Sequence, residues 1–186
     1  MDEGTPHVIR RDAYRAPAYW IRSVELSFDL DPAKTLVTSR MRVERNPGLG
    51  AEPLRLHGEE LNLLRVQADG QSVSFRNEDG MLVIDAPSAD AFTLEIRNTC
   101  APERNSALSG LYTSGGGLFT QCEAQGFRRI TYFLDRPDVM SVYTVTLRAN
   151  RIAYPVLLCN GNLVEQGELE GGRHFRPRTG KRGEWT

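Results

Sequence analysis

The chain has 186 residues, with 23 Lys and Arg against 24 Asp and Glu, so its net charge is -1. It is long enough to bury one core, and the near-neutral balance excludes an electrostatic case for nucleic acid or an anionic membrane surface. No apolar run approaches the roughly 18 residues of a membrane-spanning helix.

Residues 1–12, MDEGTPHVIRRD, are polar and lack the apolar segment of a signal peptide. They read as a flexible lead-in to a single domain over residues 13–175. Three cysteines, Cys100, Cys122 and Cys159, lie far apart. An odd, sparse set suits reduced thiols in a cytoplasmic protein, and the spacing excludes a CxxC metal site.

Val24, Leu26, Phe28 and Leu30 alternate with polar residues, the pattern of a half-buried strand. Asp31-Pro32 turns the chain, and Val37, Met41 and Val43 face one way in a second strand that completes an antiparallel hairpin. Asn46-Pro47-Gly48 ends it. Leu54 to His57 is a short strand, and His57, beside Gly58 and two glutamates, reads as a surface or turn histidine rather than a ligand. Leu61 to Ala68 is another strand. Ser72 to Arg76 and Met81 to Asp85 form a hairpin around Asn77-Glu78-Asp79-Gly80. Phe92, Leu94 and Ile96 point inward from Ala91 to Asn98.

Pro102 to Gly110 is irregular, with room for one helical turn. Ser114-Gly115-Gly116-Gly117 lacks the Gly-Lys-Ser/Thr of a phosphate loop and reads as a mobile turn that brings the next strand close to a neighbour. Thr120 to Ala124, taken as extended, puts Gln121 and Glu123 on one face and Cys122 on the other. A carboxylate beside an amide oxygen suits a cation with several N–H donors, such as an ammonium group. Cys122 has no evident His partner and reads as a small buried thiol rather than a nucleophile.

Ala124-Gln125-Gly126 breaks the strand, and Phe127 to Thr131 makes a short helical turn with Phe127 and Ile130 inward. Asp135-Arg136-Pro137-Asp138 is a turn signature. Asp135 is placed to cap it, and Asp135 with Arg136 to brace the loop carrying Glu123. Tyr143, Val145 and Leu147 alternate cleanly. Tyr154 to Cys159 and Leu163 to Gly167 flank Asn160-Gly161, a strong hairpin signal. Ten to twelve strands with little helical periodicity predict an all-β fold, a β-sandwich or twisted antiparallel sheets. Residues 176–186, RPRTGKRGEWT, are basic without apolar patterning and read as a disordered tail.

Several strings carry a family resemblance: YRAPAY at 14–19, FDLD at 28–31, GLY at 110–112, TQCEAQGFRRITYFLDRPDV at 120–139, YPVLLCNGN at 154–162 and GELEGGRH at 167–174. In this order and spacing the chain resembles the N-terminal β domain of the bacterial aminopeptidase N family, the gluzincin zinc aminopeptidases. The resemblance implies that Glu123, with Gln121 beside it, holds the free α-amino group of a peptide substrate. It also implies zinc in the full-length family enzyme.

The family's zinc site requires His-Glu-x-x-His on a helix, whose glutamate is the general base, and a distant glutamate ligand. This chain has only His7, His57 and His174, no two of them four apart. The family's Gly-x-Met-Glu-Asn strand is absent as well. The chain is therefore expected to bind no metal or cofactor, to carry no catalytic residue and to show no peptidase activity alone. Expected partners are peptide N-termini and a missing catalytic domain. Without that domain, the apolar face around Leu118, Phe119, Phe127 and Tyr132 is expected to promote self-association. The alternatives are a stand-alone peptide- or protein-binding module and the remnant of a truncated gene.

Overall fold

The computed structural model describes residues 11–85 and 88–181. Among these, the strands are β1 (Tyr19–Asp29), β2 (Thr35–Arg45), β3 (Leu54–His57), β4 (Asn62–Ala68), β5 (Gln71–Ser72), β6 (Phe75–Glu78) and β7 (Met81–Ile84), followed by β8 (Ala91–Cys100), β9 (Gly110–Ser114), β10 (Gly117–Gln121), β11 (Val142–Asn150), β12 (Asn162–Leu163), β13 (Gly167–Leu169) and β14 (Arg173–Lys181). Helix is limited to single 3-10 turns, as at Pro102–Arg104 and Phe127–Arg129. The all-β expectation holds. Strands exceed the expected ten to twelve because short segments such as β5, β12 and β13 also pair.

A nine-stranded sheet runs β12-β14-β11-β1-β2-β8-β4-β5, with β13 also on β14. A three-stranded sheet, β3-β7-β6, and a two-stranded ribbon, β9-β10, complete the fold. Strand alternation sets the core. Val24, Leu26 and Phe28 of β1, Val37, Met41 and Val43 of β2, and Phe92, Leu94 and Ile96 of β8 are buried. They join Leu54, Leu56, Leu82 and Ile84 of the smaller sheet in one cluster. A bulge between Ile21 and Ser23 shifts the phase, so that Tyr19 and Ile21 also turn inward. Each fully buried side chain of this size contributes about 1.5–3 kcal/mol.

The pairing is not wholly antiparallel. β1 and β11 run parallel, with Ser23 opposite Val142 and Asp29 opposite Arg148. This order leaves β11 with a free edge, which β14 fills from Val142↔Lys181 to Asn150↔Arg173. The expectation of disorder from Arg176 is thus corrected through Lys181: backbone pairing to an open edge needs no apolar pattern. Residues 182–186 lie outside the described residues. So do residues 1–10 of the expected lead-in, whereas Arg11–Ala13 forms a 3-10 turn.

Two expected hairpins change. Ser72 to Arg76 divides between β5, which pairs with β4, and β6, which pairs with β7. Asn160-Gly161 does turn, with Gly161 at φ 84, but β12 and β13 each pair with β14 rather than closing a hairpin with Tyr154 to Cys159. Pro155 has no N–H to offer a ladder there.

Candidate functional site

The 120–139 string occupies the end of β10 and the loop that returns toward β11. β9 and β10 close at Ser114↔Gly117 and end at Gly110↔Gln121. The strand stops at Gln121. Glu123 to Gly126 form a turn in which the Gly126 N–H donates to the Cys122 carbonyl at 2.9 Å, and the Glu123–Ala124 peptide is cis. The extended run expected through Ala124 is therefore corrected, and a turn, not strand alternation, places Glu123 beside Gln121. Gln121 Nε2 donates to the Glu123 carbonyl at 3.3 Å, and both side chains are exposed. Gln121 Oε1 and the Glu123 carboxylate are two acceptors on exposed residues two positions apart.

Two glycines permit this turn. A Cβ on Gly126 would lie 2.3 Å from the Gln121 carbonyl oxygen and 2.8 Å from Ser109 Oγ. Gly110 sits at φ +78, and a Cβ there would meet Arg129 Cβ at 2.5 Å.

Behind the turn lies a polar clamp. Asp135, 1 % exposed, accepts from the Arg128 backbone N–H at 3.2 Å and from Arg128 Nε at 3.1 Å. Arg128 Nη2 donates back to the Asp135 carbonyl at 3.1 Å. The cap expected of Asp135 thus exists, but it serves the Phe127–Arg129 turn rather than its own. Arg136 instead binds Asp138 at 2.9 and 2.7 Å and the Arg15 carbonyl at 2.8 Å, with the Tyr14 ring 6.0 Å away. Asp135 and Arg136 therefore tie the loop down at two places, one inside it and one to the N-terminal segment.

Other supports were not anticipated. Asn98, fully buried on β8, donates Nδ2 to the Ile130 carbonyl at 2.9 Å and accepts from Thr131 Oγ1 at 2.9 Å. The available signal was an amide in the inward phase of Phe92, Leu94 and Ile96, since a buried amide requires partners. His57 is half-buried rather than a surface residue. Its backbone pairs with Phe133 at 2.8 and 3.0 Å, and its Nδ1 lies 3.3 Å from both the Asp135 nitrogen and the Phe133 oxygen. Burial, then the positive Arg128, lowers its pKa from the ordinary 6.5. Arg129 reaches Glu59 at 3.0 Å and Glu60 at 2.8 Å.

The expected apolar face is corrected too. Tyr132 is 8 % exposed, and Phe127 is half-buried edge-on against Phe133 at 5.0 Å and Tyr143 at 5.8 Å. Leu118 is half-buried and packs toward the core. Phe119, 50 % exposed and stacked on Tyr112 at 6.2 Å, is the member that faces solvent.

The described residues do not fit a zinc site. The described residues include no cluster of three or more His, Cys, Asp or Glu able to hold a metal, and the sequence has no His-Glu-x-x-His.

A model of the peptidase M1 N-terminal domain matches residues 16–177. Aminopeptidase N of Escherichia coli K12 is 49 % identical over 171 residues, which cover 91 % of this chain and 19 % of that protein. Aminopeptidase N of Caulobacter vibrioides is 43 % identical over 179 residues, covering 94 % of this chain and 20 % of that protein. The crystal structure of Legionella pneumophila aminopeptidase A in complex with aspartic acid superposes with a TM-score of 0.83 at 31 % identity, over 90 % of this chain and 20 % of that one. The chain thus spans about a fifth of the length of the curated relatives it matches.

Proposed function

This chain belongs to the peptidase M1 N-terminal domain family, and from that premise we propose that it grips the free N-terminus of a peptide for a zinc-dependent aminopeptidase. Glu123 and Gln121 Oε1 receive the α-ammonium. The observation that carries the reading is their proximity where β10 enters the turn: two exposed residues, with Gln121 Nε2 bonded at 3.3 Å to the Glu123 backbone carbonyl. The Asp135–Arg128 clamp and the Asn98 bridge fix the loop beneath them, so little loop freedom is lost on binding, while ordering the exposed Gln121 and Glu123 side chains still costs entropy.

A charge-assisted hydrogen bond contributes about 1.5–3 kcal/mol, against about 1 for a neutral one. At an exposed site the lower end applies, so affinity for short peptides is expected to be weaker than millimolar, since about 4 kcal/mol would be needed to reach it. The role is that of a ruler, since fixing the amine positions the first peptide bond for attack. The bond-breaking chemistry belongs to the four-fifths of the relatives' length that this chain does not span, where the family's zinc is held. Exposed Ile152, Val156, Leu158 and Val164 are side chains that such a portion would cover. A reducing, cytoplasmic setting is supported by three cysteines that form no disulfide.

Calorimetric titration with short peptides, free or acetylated at the N-terminus, tests the grip. Heat is expected from the free form alone; equal heat from the acetylated form would overturn the assignment. Purified, metal-supplemented protein should not turn over an aminoacyl chromogenic substrate.

A further inference from the structure

The ribbon that carries Gln121 has an open side. In a two-residue hairpin closed at Ser114↔Gly117, the directly bonded pairs are Ser114/Gly117, Tyr112/Phe119 and Gly110/Gln121. The backbone groups of Leu118 and Thr120 therefore point away from β9. β10 pairs with no second strand among the described residues, and Thr120 is exposed. An unpaired edge of this kind is a template for another extended chain.

We propose that a peptide adds to the outer edge of β10 as an antiparallel strand, with its N-terminus at Glu123. This rests on the amine-gripping reading above and extends it from one group to four residues. The charge at one end selects the occupant and its direction. A chain whose ammonium lies against Glu123 and Gln121 and that continues along the edge toward Gly117 runs opposite to β10. With peptide residue one opposite Gln121, residues two and four exchange N–H···O bonds with Thr120 and Leu118. Residue three lies opposite Phe119, on the face where that ring is 50 % exposed and stacked on Tyr112. Cross-strand neighbours at this separation interact directly. The edge thus favours an apolar or aromatic third residue and disfavours proline at positions two and four, which would lack the N–H.

The test uses the full chain, isotopically labelled, titrated with alanine amide, a free tetra-alanine peptide, its Ala-Ala-Phe-Ala analogue, and versions acetylated at the N-terminus or N-methylated at residues two and four. The free tetrapeptide is expected to bind about tenfold tighter than alanine amide, with the Phe analogue tighter again, and to shift the Leu118 and Thr120 amides. N-methylation should return affinity to that of alanine amide. Thr120→Pro should weaken the tetrapeptide, and the N-methylated ligands decide the matter if that variant does not fold. If alanine amide and tetrapeptide bind equally and both need a free amine, strand addition is overturned while the amine grip stands. Acetylated and free peptides binding alike would overturn both. Leu118 and Thr120 amides that shift on dilution without peptide would identify a second copy of the chain as the occupant and overturn the proposal.

Discussion

Asp135 holds Arg128 twice, accepting from its backbone N–H at 3.2 Å and its Nε at 3.1 Å, with 1 % of the carboxylate residue exposed. This pair fixes the short turn that follows Glu123. Removing Asp135 leaves the mostly buried Arg128 guanidinium with only its longer 3.7 Å ion pair to Glu59 among the described residues. Asp135→Ala is therefore expected to cost about 3 kcal/mol of unfolding free energy. Replacing both residues by apolar ones of similar size should cost less than Asp135→Ala alone. Urea denaturation of the three variants measures this; a double variant at least as damaged as the single would contradict it.

Asn98 makes the second attachment. Asn98→Ala leaves the Ile130 carbonyl and the Thr131 hydroxyl without their partner, at about 2–4 kcal/mol. Amide exchange should quicken first over residues 127–134, next to the lost bonds, before the β1–β2 hairpin is affected.

Gly126→Ala places a methyl 2.3 Å from the Gln121 carbonyl oxygen, a backbone atom that cannot swing aside. Destabilisation of about 1–3 kcal/mol is expected, together with loss of discrimination between free and acetylated peptides. Gly50→Ala, with open space around it, is the control and should stay within about 0.5 kcal/mol of the parent. Equal effects of the two would remove the close-approach argument.

His57 makes stability pH-dependent. Its folded pKa is lowered below the ordinary 6.5, first by burial and then by the charge of Arg128. Above 6.5 both folded and unfolded states are neutral at this position and its contribution is complete. As pH falls from 6.5 toward the lower folded value, the unfolded chain binds the proton more readily, so stability drops. Urea midpoints should fall between pH 7.5 and 5.5, and His57→Gln should flatten that part of the profile.

Thiol chemistry should follow burial. The Cys100 thiol is pushed up to about 11 by desolvation, whereas Cys122 and Cys159 are half-buried. A maleimide at neutral pH is expected to label Cys122 and Cys159 in the folded chain and Cys100 only after denaturation. Mass mapping of labelled peptides would show the order.

Local rules made much of this legible beforehand. The inward sets of β1 from Val24 onward and of β2, β8 and β11 follow from alternation, and the turns at Asp31-Pro32 and Asp79-Gly80 follow from turn chemistry. What escaped depends on distant neighbours. β1 pairs with β11 and β14 completes β11, although no local pattern names either partner. Glu123 leaves the strand because Gly126 folds back onto Gln121, a contact invisible to a period of two. Asp135 does accept a backbone N–H, but from Arg128 upstream and not within the turn it was expected to cap. Asn98 stood among inward apolar residues, and its burial carried the clue to the loop it anchors.

The parallel seam between β1 and β11, where Ser23 meets Val142, also has a cost in time. The first long strand must wait for a segment made far later, and closing so wide a gap demands entropy before any contact returns it. A chain emerging from a ribosome presents β1 and β2 as a hairpin with one bare flank until β11 arrives, and refolding from denaturant should be slow for the same reason. Pulse-labelling should find the β1–β2 ladder protected before the β1–β11 ladder.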